Sequence, residues 1–77
     1  MGSVKKLIQK IKDQPNGITF QEANRVLEAR GYHFMRRNSS HCSFRNDRGD
    51  VITVVDKKDA IKKVYVAAIL ERIGENN

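Results

Sequence analysis

The chain has 77 residues, 15 Lys and Arg against 9 Asp and Glu, no Trp, one Pro and one Cys. That length predicts one domain burying roughly 60% of its unfolded surface. Nothing approaches the ~20 apolar residues of a membrane span, no apolar N-terminal run suggests a signal peptide, and a lone cysteine makes neither an internal disulfide nor a metal site.

Cys42 is expected to be a small buried hydrophobe in a cytoplasmic protein. The net charge is +6, and nine basic residues face four acidic ones between positions 30 and 63. A second basic cluster sits at Lys5, Lys6, Lys10 and Lys12. Such a balance favours a polyanionic partner, usually a nucleic acid.

In chain order, "VKKLIQKIK" places Val4, Leu7, Ile8 and Ile11 at the i, i+3, i+4, i+7 spacing of an amphipathic helix. Pro15 and Gly17 in "DQPNG" break it. "TFQEANRVLEARG" predicts a second helix with a Thr19–Glu22 capping box, an apolar face of Phe20, Ala23, Val26 and Leu27, and Gly31 past its end.

Three strands follow: Tyr32–Arg37, His41–Arg45 and the β-branched Val51–Val55. Asn38-Ser39-Ser40 and Asn46–Asp50 are hairpin-sized polar loops, the second with Gly49 available for positive φ. Together they predict an antiparallel meander. A last helix is expected from near Asp59, "DAIKKVYVAAILERIG", with one apolar stripe of Ile61, Val64, Tyr65, Ala68 and Ile69 and a second of Val66, Leu70 and Ile73. The sheet is expected to cover one stripe and the first helix the other. The predicted architecture is α+β in the order α-α-β-β-β-α, with the helices on one sheet face because two of the strands offer only one good apolar face.

Period-two alternation turns Cys42 and Phe44 toward the helices and sends His41, Ser43 and Arg45 to the open face. With a three-residue Asn38–Ser40 loop, Arg37 would pair with His41, Phe34 with Phe44, and His33 with Arg45. His33 would then lie roughly 13 Å from His41 at ~3.3 Å per residue, too far for the two to act on one phosphate. What remains is one imidazole among cations. Imidazole accepts and donates protons near neutrality, and Arg37 and Arg45 are suited to gripping a phosphate and stabilising charge that builds on it. RNA supplies its own nucleophile, the 2′-hydroxyl, so such a site is suited to slow RNA cleavage. Lys57, Lys58, Lys62 and Lys63 in "KKDAIKK" lie before and inside the predicted start of the last helix, where the helix dipole also attracts an RNA backbone. Their spacing resembles the Lys-Lys-x-Ala-x-Lys segment of double-stranded-RNA-binding domains.

These pieces occur in an informative order: a helix ending in Gly-Tyr, a basic strand, "SSHCSFR", a β-branched strand and "AIKKVYV". The order resembles the HicA family of toxins over nearly the whole chain. The resemblance implies one HicA-like domain over residues 1–77 with a double-stranded-RNA-binding-like fold. It also implies an mRNA-cleaving endoribonuclease and a HicB antitoxin that covers the active histidine. The family's Gly-Ser-His motif falls on Ser39-Ser40-His41, which makes His41 the expected catalytic residue. Ser40 is expected to orient His41 or a phosphate oxygen. Arg37, Arg45, Lys57, Lys58, Lys62 and Lys63 are expected to hold the RNA backbone. No metal or other cofactor is expected. Ser39 stands where the family usually has glycine; if that glycine serves positive φ, Ser39 strains the turn, and if it serves close RNA approach, Ser39 obstructs the site. Val55 and Lys57 stand where the family commonly has proline and histidine. Two rival readings are a non-catalytic RNA-binding module and an inactivated relative that binds only a protein partner.

Overall fold

Helix α1 (Ser3–Asp13) and helix α2 (Phe20–Ala29) precede the strands β1 (His33–Asn38), β2 (His41–Arg45) and β3 (Val51–Val55), and helix α3 (Lys63–Arg72) closes the order. This computed structural model describes residues 3–74. The strands form one antiparallel sheet in the order β1-β2-β3. The α+β architecture predicted from the sequence is therefore the one observed, with helices on one face.

Local signals explain the first two helices. In α1 the predicted stripe turns inward: Ile8 and Ile11 are buried, and Val4 and Leu7 pack against the core. The chain then turns through Gly17, whose φ of +86° suits glycine. Thr19 caps α2 by the predicted reciprocal box: its side chain accepts from the Glu22 backbone, and the Glu22 carboxylate accepts from the Thr19 N–H at 3.0 Å. Lys10 of α1 reaches the same carboxylate at 2.6 Å and joins the two helices. These contacts, led by Lys10, lower the Glu22 pKa below its usual value of 4.5. At its other end α2 stops at Gly31, with φ +92°. The Tyr32 N–H donates to the Leu27 carbonyl and the Gly31 N–H to that of Glu28, the paired bonds of a Schellman ending. Tyr32 is thereby delivered into the core rather than to the first strand.

Phe44 is the largest fully buried side chain, held between the rings of Phe20 (centroids 6.1 Å apart) and Phe34 (5.7 Å). Cys42, Ile52 and Val54 complete the helix-facing side of the sheet, and Cys42 is buried as expected. In the second hairpin, the Asn46 side chain accepts from the Arg48 and Asp50 backbones, and Gly49 has φ +88°.

The last helix begins at Lys63 and not near Asp59. Ile61 is the cause. Its side chain is buried in the core, and its N–H donates to the Ile18 carbonyl at 2.9 Å, which fixes residues 56–62 as an irregular crossing segment. The two expected stripes of α3 are in fact one broad face. Val66 and Ile69 are buried at its centre, with Tyr65, Ala68, Leu70 and Ile73 around them, while Val64 is 66% exposed. That face packs on β3 and on α2. No helix among the described residues is long and apolar enough to cross a membrane.

Candidate functional site

The alternation on β2 has the predicted phase. Cys42 and Phe44 are buried, whereas His41 and Arg45 are exposed and Ser43 is half-buried. Asn38 of β1 and Val55 of β3 are His41's cross-strand partners. Among the described residues, the His41 side chain has no hydrogen-bond or ion-pair partner, so both ring nitrogens are available to a ligand. His33 pairs with Arg45 at the far end of the sheet and lies 3.9 Å from the Asp47 carboxylate, outside the His41 site.

Strand β1 departs from the expected register. His33 faces Arg45 and Phe34 faces Phe44, as predicted, but the register then slips by one across Met35. The slip follows from two fixed points. The Phe34–Phe44 contact pins one end, and a two-residue Ser39-Ser40 turn pins the other by pairing Asn38 with His41. Four steps of β1 must then match three of β2, so one residue bulges, which an edge strand tolerates best. The expected three-residue loop, with Arg37 opposite His41, is thus corrected. Arg37 lies opposite Cys42, on the helix side. Arg36, not among the expected RNA contacts, takes the open face opposite Ser43.

Arg37 is occupied where it lies. Its Nε donates to the Ser39 carbonyl at 2.9 Å, and its Nη1 donates to Asp56 Oδ2 at 2.8 Å and approaches Cys42 Sγ at 3.8 Å. The bond to Asp56 is the main reason the Arg37 pKa is pushed above its ordinary value. Asp56, just beyond β3, also donates its backbone N–H to the Ser40 carbonyl at 2.7 Å. Both carbonyls of the turn are therefore held. Ser39 has φ +61° and is the one described non-glycine residue with positive φ. Positive φ at the first central residue alone is the pattern of a II′ turn, where glycine is favoured.

The remaining cations form a wider frame. Arg45 shares the open face with His41 but stands four residues along β2, roughly 13 Å away at ~3.3 Å per residue. Lys57 and Lys58 follow Asp56 and line an open cleft with Thr19, Phe20 and Gln21. Lys62 is the N-cap of α3, without a side-chain cap bond, and Lys63 is its first residue. Among the described residues, no three His, Cys, Asp or Glu side chains converge as metal ligands would. Arg36, Asn38 and Asp56 are the neighbours of the site that sequence periodicity did not reveal. The preference of hairpins for two-residue turns was the signal available for the first two.

A three-stranded sheet with helices on one face and an exposed histidine just after a tight turn defines a small α+β protein with a candidate site at one end of the sheet. Residues 20–75 match the family described as HicA toxin of bacterial toxin–antitoxin, and the chain belongs to that family. No curated protein and no solved structure matches the chain.

Proposed function

We propose that the protein is an endoribonuclease that cuts messenger RNA in the cytoplasm without a metal ion. His41 is its single proton-transfer residue, and a HicB-like antitoxin restrains it by covering that histidine. The observation that carries this reading is an exposed imidazole with no protein partner on the open sheet face of a HicA-family chain. His41 takes the proton from the RNA 2′-hydroxyl. The 2′-oxygen then bonds to the adjacent phosphorus, the bond from phosphorus to the 5′-oxygen breaks, and solvent protonates the departing oxygen. The products are a 2′,3′-cyclic phosphate and a free 5′-hydroxyl. The Ser40 hydroxyl holds a phosphate oxygen, while Arg45, Lys57, Lys58, Lys62 and Lys63 hold the backbone on either side. Of the arginines on the open face, Arg36 is the nearest to His41 by register.

One proton-transfer group without an orienting partner makes a slow enzyme, because paired acid and base catalysis and a fixed tautomer each add to the rate. The test is cleavage of one long mRNA in EDTA by wild type and by His41→Ala. Wild type should cut, and the variant should lose at least ~100-fold in rate while keeping its fold, since the His41 side chain is exposed. A folded wild type that cuts nothing, or a His41→Ala protein that cuts as well as wild type, would overturn the reading. Retained RNA binding without cutting in either protein would favour a non-catalytic RNA-binding module instead.

A further inference from the structure

We infer that Arg37 and Asp56 form a clamp that positions the His41 turn, and that Arg37 is a positioning residue rather than a ligand of the RNA phosphates. The inference rests on His41 being the reactive residue. The clamp has three links. Arg37 Nε holds the Ser39 carbonyl, Arg37 Nη1 holds the Asp56 carboxylate, and the Asp56 backbone N–H holds the Ser40 carbonyl. Its two anchors lie on opposite edges of the sheet, Arg37 on β1 and Asp56 just past β3, so the clamp spans β2 and closes over the residue before His41. Among the described residues, it grips the one turn in which a non-glycine residue is held at positive φ. A turn that opposes its own geometry relaxes unless its surroundings over-determine it.

The Met35 bulge makes the clamp possible. Without the extra residue, Arg37 would sit on the open face beside His41, free to meet phosphate. With it, Arg37 faces the helix side and its guanidinium fork is engaged by a carboxylate and a carbonyl. Arginine is suited to this because its planar fork reaches two acceptors at fixed angles, which a lysine ammonium does not reproduce.

The two roles give opposite signs in experiment. Asp56 is an acidic group in a basic site. If Arg37 served phosphate, removing Asp56 would free it, and Asp56→Asn would bind and cut RNA better. If Arg37 serves the turn, Asp56→Asn lowers kcat although the site becomes more positive. Arg37→Lys separates the roles again: it keeps the charge but not the fork, so a clamp loses function and a phosphate contact is largely kept.

The experiment measures kcat and KM for wild type, Arg37→Ala, Arg37→Lys, Asp56→Asn and the Arg37→Ala/Asp56→Asn double variant. It also measures the salt dependence of binding to a short single-stranded RNA oligonucleotide and amide exchange at Asp56. Each single variant should lose roughly tenfold in kcat at nearly constant KM, and the double variant little more, because either change opens the same clamp. The Asp56 amide should exchange roughly tenfold faster in Arg37→Ala, since the bonds that hold the Asp56 carboxylate and the neighbouring Ser39 carbonyl are gone. The salt slope of Arg37→Ala should match wild type. A slope shallower by about 0.7, the share of one phosphate contact on single-stranded RNA, would overturn the inference. So would stronger cutting or binding by Asp56→Asn, or unchanged Asp56 exchange in Arg37→Ala. If wild type itself does not cut, the catalytic reading fails on its own, and the exchange and salt measurements still decide whether Arg37 clamps the turn or meets phosphate.

Discussion

Ser39 has φ +61°, a conformation that an L-residue with a Cβ adopts at a cost of about 1–3 kcal/mol. The serine is exposed and its side chain bonds to nothing among the described residues, so nothing in the turn requires it. Ser39→Gly should therefore stabilise the protein by about 1 kcal/mol, the relief of strain exceeding the extra backbone entropy that glycine loses on folding. For a chain of this size that is a rise in Tm of about 4–8 °C, read in a thermal melt. A lower Tm would mean that the serine side chain contributes something the geometry does not reveal. This strain was legible in the sequence through the glycine that the HicA resemblance places at position 39. The role of Arg37 was not. Alternation predicts a face only while a strand stays in register, and the single bulged residue at Met35 exchanged the positions of Arg36 and Arg37.

At the scale of elements, α2 and α3 start in opposite ways. Thr19 and Glu22 cap α2 fully, and Glu22 brings a negative charge to the positive helix end. Because the folded state holds the Glu22 pKa below its usual 4.5, the stability it contributes is present above that value and is lost as pH falls through the lowered pKa. Glu22→Gln should flatten the acid limb of a stability-against-pH curve, and an unchanged limb would refute this. Helix α3 instead begins on Lys62 and Lys63, with no side-chain cap and two cations at the end that repels them. Lys62→Ser should add about 0.5–1 kcal/mol in chemical denaturation and weaken RNA binding at the same time. Greater stability without any loss of RNA affinity would remove Lys62 from the RNA path. The start of α2 was legible because its capping residues adjoin its apolar stripe. That of α3 was not, since Asp59 resembles an N-cap and the delay comes from tertiary contacts, the burial of Ile61 and its bond to Ile18.

Across the whole molecule, nine of the fifteen basic residues lie between positions 30 and 63, against four of the nine acidic ones. One face of the sheet is given to the core. On the other, His41 stands at the turn end with Arg36 and Arg45 along the strands; Lys57 and Lys58 line the cleft at the start of α2, and Lys62 and Lys63 open α3. On the proposed function, an RNA strand at His41 would extend to some of these cations. That path has a quantitative signature, because each phosphate contact with single-stranded RNA contributes about 0.7 to the slope of log affinity against log salt. Lys57→Gln/Lys58→Gln should flatten the slope by about 1.4 if both lysines meet phosphates. Lys5→Gln/Lys6→Gln on α1 removes the same charge from another element and should change the slope far less. If the two pairs behave alike, the molecule attracts RNA only through its overall charge. The sheet face would then be better explained as the surface that a protein partner covers.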